Sequence, residues 1–298
     1  MRPFTRLPAN IESPTPLPRQ IDNRGATLLF VPADYFIMGI DPAVLGEECA
    51  LFGRQCDGAL LEPSAPQHPV YVNAFYIDAT EVTNAAYALF LNEIGDERGC
   101  EGHACLVPGS RVQRQGNVYQ VDVDFAEHPV HSVTWYGAAV YCRWRGGRLP
   151  TEAEWEMAAS WQADGNSKSL YPWGNVFEGG LTNSCDASCN QAQANGAYDD
   201  GYAETAPVTS FPMGSSPIGA YDMGGNVWEW AADWFNPRYY AFSPEQNPQG
   251  PSEGQGRALR GGSWFDSGVF TATVFRTGLA PHESNDSIGF RCAQTVDT

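Results

Sequence analysis

Long apolar runs are missing from this 298-residue sequence. No segment approaches the ~18 residues that a membrane-spanning helix needs. The stretch Met1 to Pro18 (MRPFTRLPANIESPTPLP) also lacks the apolar centre of a secretory signal, so any export signal is expected outside it. Basic residues are few, 17 Lys and Arg against 35 Asp and Glu, for a formal charge of −18. This balance argues against nucleic acid and anionic membrane surfaces as partners and leaves cations, neutral groups and basic surfaces. Most of the acidic residues do no more than keep the surface soluble. With only 17% of residues charged, good surface-helix formers are scarce. No phosphate-binding loop, triad order or solenoid repeat is present.

What the chain has in quantity is Gly (31), Pro (22) and Trp (9), which favours short elements joined by turns. An apolar share of 43% over this length is enough for one sizeable core or two modest ones. Residues 1–25, with Ser13-Pro14-Thr15-Pro16-Leu17-Pro18, read as a Pro-rich linker or tail, and residues 26–298 as a single domain. Strands are expected at Thr27–Pro32, Tyr35–Gly39 and His68–Asp78. A helix capped by Thr80 or Thr83 should run through Leu91, and another from Thr134 to Trp144 with Trp135, Ala138, Ala139 and Cys142 on one face. Thr151 with Glu154 three residues later forms a capping box that opens a third, through Trp161. Beyond Tyr171 turn chemistry dominates, and such irregular stretches need disulfides or bound cations to hold them.

Eight cysteines fall largely in close pairs: Cys49 with Cys56, Cys100 with Cys105, and Cys185 with Cys189, leaving Cys142 and Cys292 apart. An even, paired inventory suits disulfides in an oxidising compartment. Zinc is the competing explanation, but the five histidines show no metal-ligand spacing beside the cysteines. A cytoplasmic protein with reduced thiols is the alternative to an extracytoplasmic one.

Seven motifs run in order along the chain: Phe36-Ile37-Met38-Gly39; Tyr76-Ile77-Asp78 with Glu81-Val82-Thr83-Asn84; Gly147-Arg148-Leu149-Pro150-Thr151-Glu152-Ala153-Glu154-Trp155-Glu156; Tyr171-Pro172-Trp173-Gly174; Gly225-Asn226-Val227-Trp228-Glu229-Trp230; Arg260-Gly261-Gly262-Ser263-Trp264; and Gly289-Phe290-Arg291-Cys292. Together they resemble the formylglycine-generating-enzyme, or sulfatase-modifying-factor, family from about residue 26 to 293. The resemblance implies an α+β fold, a C-type-lectin-like core that is loop-rich with little regular secondary structure. It also pairs Cys142 with Cys292. Trp155, Trp173, Trp228, Trp230 and Trp264 are expected mainly to fill the core and to need partners for their N–H groups.

The resemblance further implies two calcium sites. Asp222, Gly225, Val227 and Glu229 match one, where carboxylates and backbone carbonyls of a Gly-rich loop supply the hard oxygen ligands calcium prefers. Asn183, Ser184, Asp200 and Tyr202 match the other, in a stretch rewritten around Cys185 and Cys189. Ordinary solvated turn carboxylates are the plainer explanation.

Catalytic members of the family carry a cysteine three residues after the Ser of Arg-Gly-Gly-Ser and another five further on; these hold copper(I), and one engages the substrate thiol. Here those positions are Asp266 and Thr271, so no copper is expected. The segment that remains, with Trp228, Ser263, Trp264, Phe265, Asp266, Phe270, Thr271, Arg276 and His282, suits a ligand-binding surface displayed on a rigid scaffold, although core packing explains many of the same residues. The leading expectation is a non-catalytic, calcium-stabilised accessory domain that binds a protein or peptide. The rival is an enzyme, with Asp266 and His282 as acid and base or with redox cysteines supplied by a partner chain.

Overall fold

The chain enters the fold through β1 (Arg19–Ile21), which pairs antiparallel with β2 (Thr27–Val31). The structure, a computed structural model, describes residues 19–296 except 23, 55, 97, 163–166 and 192–193. The expected tail up to Pro18 lies outside the described residues. Its last part differs from expectation: Arg19-Gln20-Ile21 is too short and polar to announce a strand, yet it forms one because the edge of β2 offers unpaired backbone groups.

Next come β3 (Asp34–Met38), the helices α1 (Pro42–Leu51) and α2 (Gly58–Leu61), β4 (His68–Val72) and β5 (Phe75–Asp78). The single strand expected at His68–Asp78 is thus two, broken at Asn73-Ala74 so that β4 pairs with β3 while β5 pairs with β2. Helix α3 (Asn84–Ile94) follows, capped by the Thr83 side chain. A hairpin, β6 (Gln113–Gln115) with β7 (Val118–Gln120), precedes α4 (Trp135–Trp144) and α5 (Glu152–Ser160). Thr134 caps α4, and the Thr151–Glu154 capping box is formed in both directions. A two-residue pair, β8 (Trp161–Gln162) with β9 (Ser167–Lys168), then leads into the long irregular half.

That half contributes β10 (Trp228–Trp234), β11 (Arg257–Arg260), β12 (Arg276–Leu279), β13 (Ile288–Gly289) and β14 (Ala293–Thr295). Two four-stranded sheets result, β1-β2-β5-β14 and β12-β11-β10-β13. Strand β14 sits beside β5, with Ala293 opposite Ile77, so the last strand is built into the sheet that the first one opens. The Cys142–Cys292 disulfide ties α4 to that end of the chain.

One core gathers Tyr87, Phe90, Tyr141, Trp230 and Phe290 around α3 and α4; a second gathers Val31, Phe36, Val70, Ile77 and Trp155 around α5. Helix α5 is buried along its whole length although it carries three glutamates. Each is matched, because an unpaired carboxylate there would be costly. Glu152 takes a two-pronged grip from Arg276, Glu154 one from Arg148, and Glu156 meets both Arg260 and Lys168.

Candidate functional site

The turn after Asp222 brings the two expected cation sites side by side. Gly225 has φ +92°, and a Cβ there would lie 2.2 Å from Thr182 Oγ1 and 2.3 Å from the Asn183 carbonyl. Glycine is therefore required at the contact between the loops. Asn226, itself at φ +60°, donates its backbone N–H to the Asn183 carbonyl at 2.9 Å. Its side chain accepts from Asn183 Nδ2 at 3.0 Å and donates to Glu81 Oε2 at 2.7 Å. Glu81 and Asn183 are thereby linked through one buried amide.

Glu81, Asp222 and Glu229 form a buried acidic cluster faced by Arg291. Burial, then the charges of Asp222 and Glu229, push the Glu81 carboxyl well above the usual carboxylate range. Burial raises Asp222 to about 6, with Glu229 adding to the rise against the Thr209 N–H and Arg291. A cation among these groups would offset the repulsion, which fits the oxygen-rich donor set of a calcium site. Glu229 is not free for that role alone, since Arg291 and the Trp155 indole already donate to its carboxylate. Among the described residues no three His, Cys, Asp or Glu side chains form a metal site by themselves, so the Gly225 and Val227 carbonyls would have to complete it.

In the second set, Asn183 Oδ1 is buried and has no hydrogen-bond partner, an orphaned acceptor of the kind a cation satisfies. Asp200 accepts from the Ser184 and Tyr202 backbone N–H groups. Burial, then the nearby Asp186 and Asp199, raise its carboxyl to about 7. The Tyr202 carbonyl accepts from Ser188 Oγ at 2.7 Å. Sequence reasoning missed Asp186, whose fully buried carboxylate takes bonds from Ser188 and from the Asp200 N–H. It also passed over Glu81 as a helix-opening residue, although Glu81 stands in one of the seven motifs.

Asp266 occupies the first of the two oxidase positions. Its Oδ2 accepts from the Trp228 indole at 2.8 Å and from Ser263 Oγ at 2.6 Å. Burial raises its pKa, opposed by those two bonds. Thr271 is completely buried and spends its hydroxyl on the Gly268 carbonyl at 2.7 Å. All eight cysteines are in disulfides, 49–56, 100–105, 142–292 and 185–189, and none is free.

The expected ligand surface is smaller than the sequence implied. Phe265 and His282 are exposed, and Trp228, Asp266 and Phe270 are half-buried. Ser263 and Trp264 are buried, the latter with its indole on the Asp286 carbonyl. Thr271 and Arg276 are buried: Arg276 is locked against Glu152, the Pro63 and Asn236 carbonyls, and the Tyr240 ring. Asp266 and His282 share no hydrogen bond among the described residues, so the structure gives no geometric support to an acid–base pair. One neighbour was not foreseen. Arg54, from the loop after α1, lies 5.5 Å from the centre of the Phe270 ring and acts electrostatically on Asp266.

Comparison with known proteins identifies the family and the fold. The family profile described as "Sulfatase-modifying factor enzyme 1-like domain" matches residues 15–296. The formylglycine-generating enzyme of Streptomyces coelicolor is 34% identical, over 97% of this chain and 95% of its own. The serine/threonine-protein kinase pkn1 of Chlamydia caviae is 36% identical over 78% of this chain, which spans only 34% of that kinase. A Bos taurus protein named inactive C-alpha-formylglycine-generating enzyme 2 is 38% identical over 56% of this chain and 50% of its own. Among solved structures, PvdO from Pseudomonas aeruginosa shares the fold, with a TM-score of 0.70 and 24% identity over 95% of this chain and 100% of its own. Sequence, fold and the ordered motifs agree, and the chain belongs to the sulfatase-modifying factor enzyme 1-like family.

Proposed function

We propose that this chain is an extracytoplasmic, calcium-stabilised binding domain that recognises a protein or peptide through the surface around Trp228, Phe265, Asp266 and Phe270, and that it does not generate formylglycine. The observation that carries this is the state of Asp266. A carboxylate already satisfied by Trp228 and Ser263 stands where a copper-binding thiolate would be. Copper(I) selects soft sulfur ligands, and no cysteine elsewhere in the chain is free to supply one. The four disulfides support an oxidising location, and a relative whose name includes "inactive" indicates that this family tolerates loss of the reaction. Calcium is supported by the buried acidic cluster of Glu81, Asp222 and Glu229 and by the orphaned Asn183 Oδ1.

The experiment is direct. The chain is incubated with copper(I), oxygen and a cysteine-containing sulfatase peptide, and the peptide is weighed by mass spectrometry. An unchanged mass is expected; conversion of the cysteine to an aldehyde overturns the proposal.

A further inference from the structure

A cleft of ≈ 460 Å³ lies between α1 and the segment from Lys168 to Asn175. That volume falls in the range of about 300–1,000 Å³ typical of small-ligand sites. None of the residues of the surface around Asp266 lines it. Its apolar lining comes from Ile40, Val44, Leu51, Leu170 and Val274, and its carboxylates from Asp41, Glu47 and Glu48.

Helix α1 explains why the cleft is there. Leu45 and Cys49, four residues apart, are fully buried against the core, whereas Val44 and Leu51, seven apart, are 49% and 80% exposed. An apolar stripe on the outward face of a surface helix adds nothing to the core. The helix is also held still: the Asp41 side chain caps it, and the Cys49–Cys56 disulfide pins its last turns. A wall fixed in this way lowers the ordering cost of binding.

Charge decides what the cleft would take. Among the described residues Lys168 is the one cation in the lining, and it is already committed to Glu156 and to the Gly39 carbonyl. Among the described residues no Lys or Arg forms an ion pair with these carboxylates, and Glu48 is held in place by the Tyr171 hydroxyl, which donates to it at 2.7 Å. We propose that this cleft binds an ammonium or guanidinium group carried on an apolar body, the cation at Glu47 and Glu48 and the aliphatic part against Val44, Leu51 and Leu170. A basic residue flanked by leucine in a peptide and a free alkylamine present the same chemistry.

The test titrates the full chain with N-acetyl-Leu-Arg-Leu-amide and, separately, with n-hexylamine, followed by calorimetry. Binding of the peptide alone identifies a peptide-borne cation, and binding of both identifies a site open to free amines; either supports the proposal. Combining Glu47→Gln with Glu48→Gln should weaken binding about tenfold, and raised salt should weaken it further. Leu51→Ser should weaken it too, and because Leu51 is exposed this variant keeps its fold and decides the matter should the double variant not. Glu253→Gln, outside the cleft, should change nothing. The proposal is overturned if neither probe binds, if the uncharged peptide with Gln in place of Arg binds equally well, or if the cleft variants bind as tightly as the parent.

Discussion

Arg291 holds Glu229 through two hydrogen bonds of 2.7 Å, Nε to Oε2 and Nη2 to Oε1, with both side chains buried. The pair joins the last motif of the sequence to the Gly-rich loop. It also leaves the site unbalanced, since Glu81 and Asp222 share the same enclosure. With all three carboxyls ionised, as a bound cation would favour, they exceed the one guanidinium by two negative charges, the charge of one divalent cation.

The first prediction follows from that excess. Adding calcium should raise the melting temperature and a chelator should lower it, with ~2.7 kcal/mol gained at a hundredfold excess over the dissociation constant. Glu229→Ala should abolish the response and cost roughly 3–5 kcal/mol in addition, because it strands a buried guanidinium. A melting temperature indifferent to the chelator counts against the site.

The cluster also sets a pH dependence. Asp222 titrates at about 6 in the folded chain, mainly because it is buried, against ~3.9 unfolded. A carboxyl raised on folding costs no stability below its unfolded value, costs progressively more as pH rises from that value to its folded one, and costs a constant amount above it. In chelator at pH 8, Asp222→Asn should therefore be more stable than the parent by about 1–3 kcal/mol. The difference should vanish as pH falls from 6 towards 4. Asparagine also tolerates the positive φ of +55° at this position. Denaturation curves at several pH values measure the gap, and one that does not change with pH refutes the assignment.

The long disulfide gives a third expectation. Cys142–Cys292 closes 150 residues and Cys49–Cys56 only 7. Replacing the first pair by alanine should cost about 2–5 kcal/mol of global stability. Replacing the second should mainly loosen α1, seen as faster amide exchange in Pro42–Leu51 with a smaller fall in melting temperature. Equal losses for the two pairs would contradict this account.

How much of this could be read from the chain depends on the range of each interaction. Thr83, Thr134 and Thr151 cap helices through bonds to residues three positions away, so the sequence displays them. The three short disulfides are legible for the same reason. Helix α1 was not foreseen, because apolar residues on both its inner and outer faces erase the helical period. Arg276 was expected at the ligand surface, yet its partner Glu152 is 124 positions away and nothing near Arg276 announces it. Glu81 is the converse case: its motif was visible, but its role depends on Asp222, Asn226 and Glu229 arriving from the far half of the chain.

The last prediction returns to the two oxidase positions. Asp266→Cys places a thiol within reach of the Trp228 indole and Ser263, where the carboxylate now sits. Thr271→Cys places the second inside a fully buried site, and the loss of its bond to Gly268 should cost only about 1 kcal/mol. If the surrounding scaffold is that of the catalytic relatives, the double variant should bind copper(I), measured by competition with a chromophoric chelator, whereas each single variant should bind it far more weakly. Turnover is a stricter demand, because one thiolate must also meet the substrate cysteine. Arg54 stands beside Phe270 in this region, so copper binding without peptide oxidation is the expected result. Adding Arg54→Ala to the double variant then asks whether the guanidinium is the obstacle. Oxidation restored only in the triple variant would mean that Arg54 blocks the substrate's approach. Failure of the double variant to bind copper(I) while still folded would show that the site has diverged beyond its two missing cysteines.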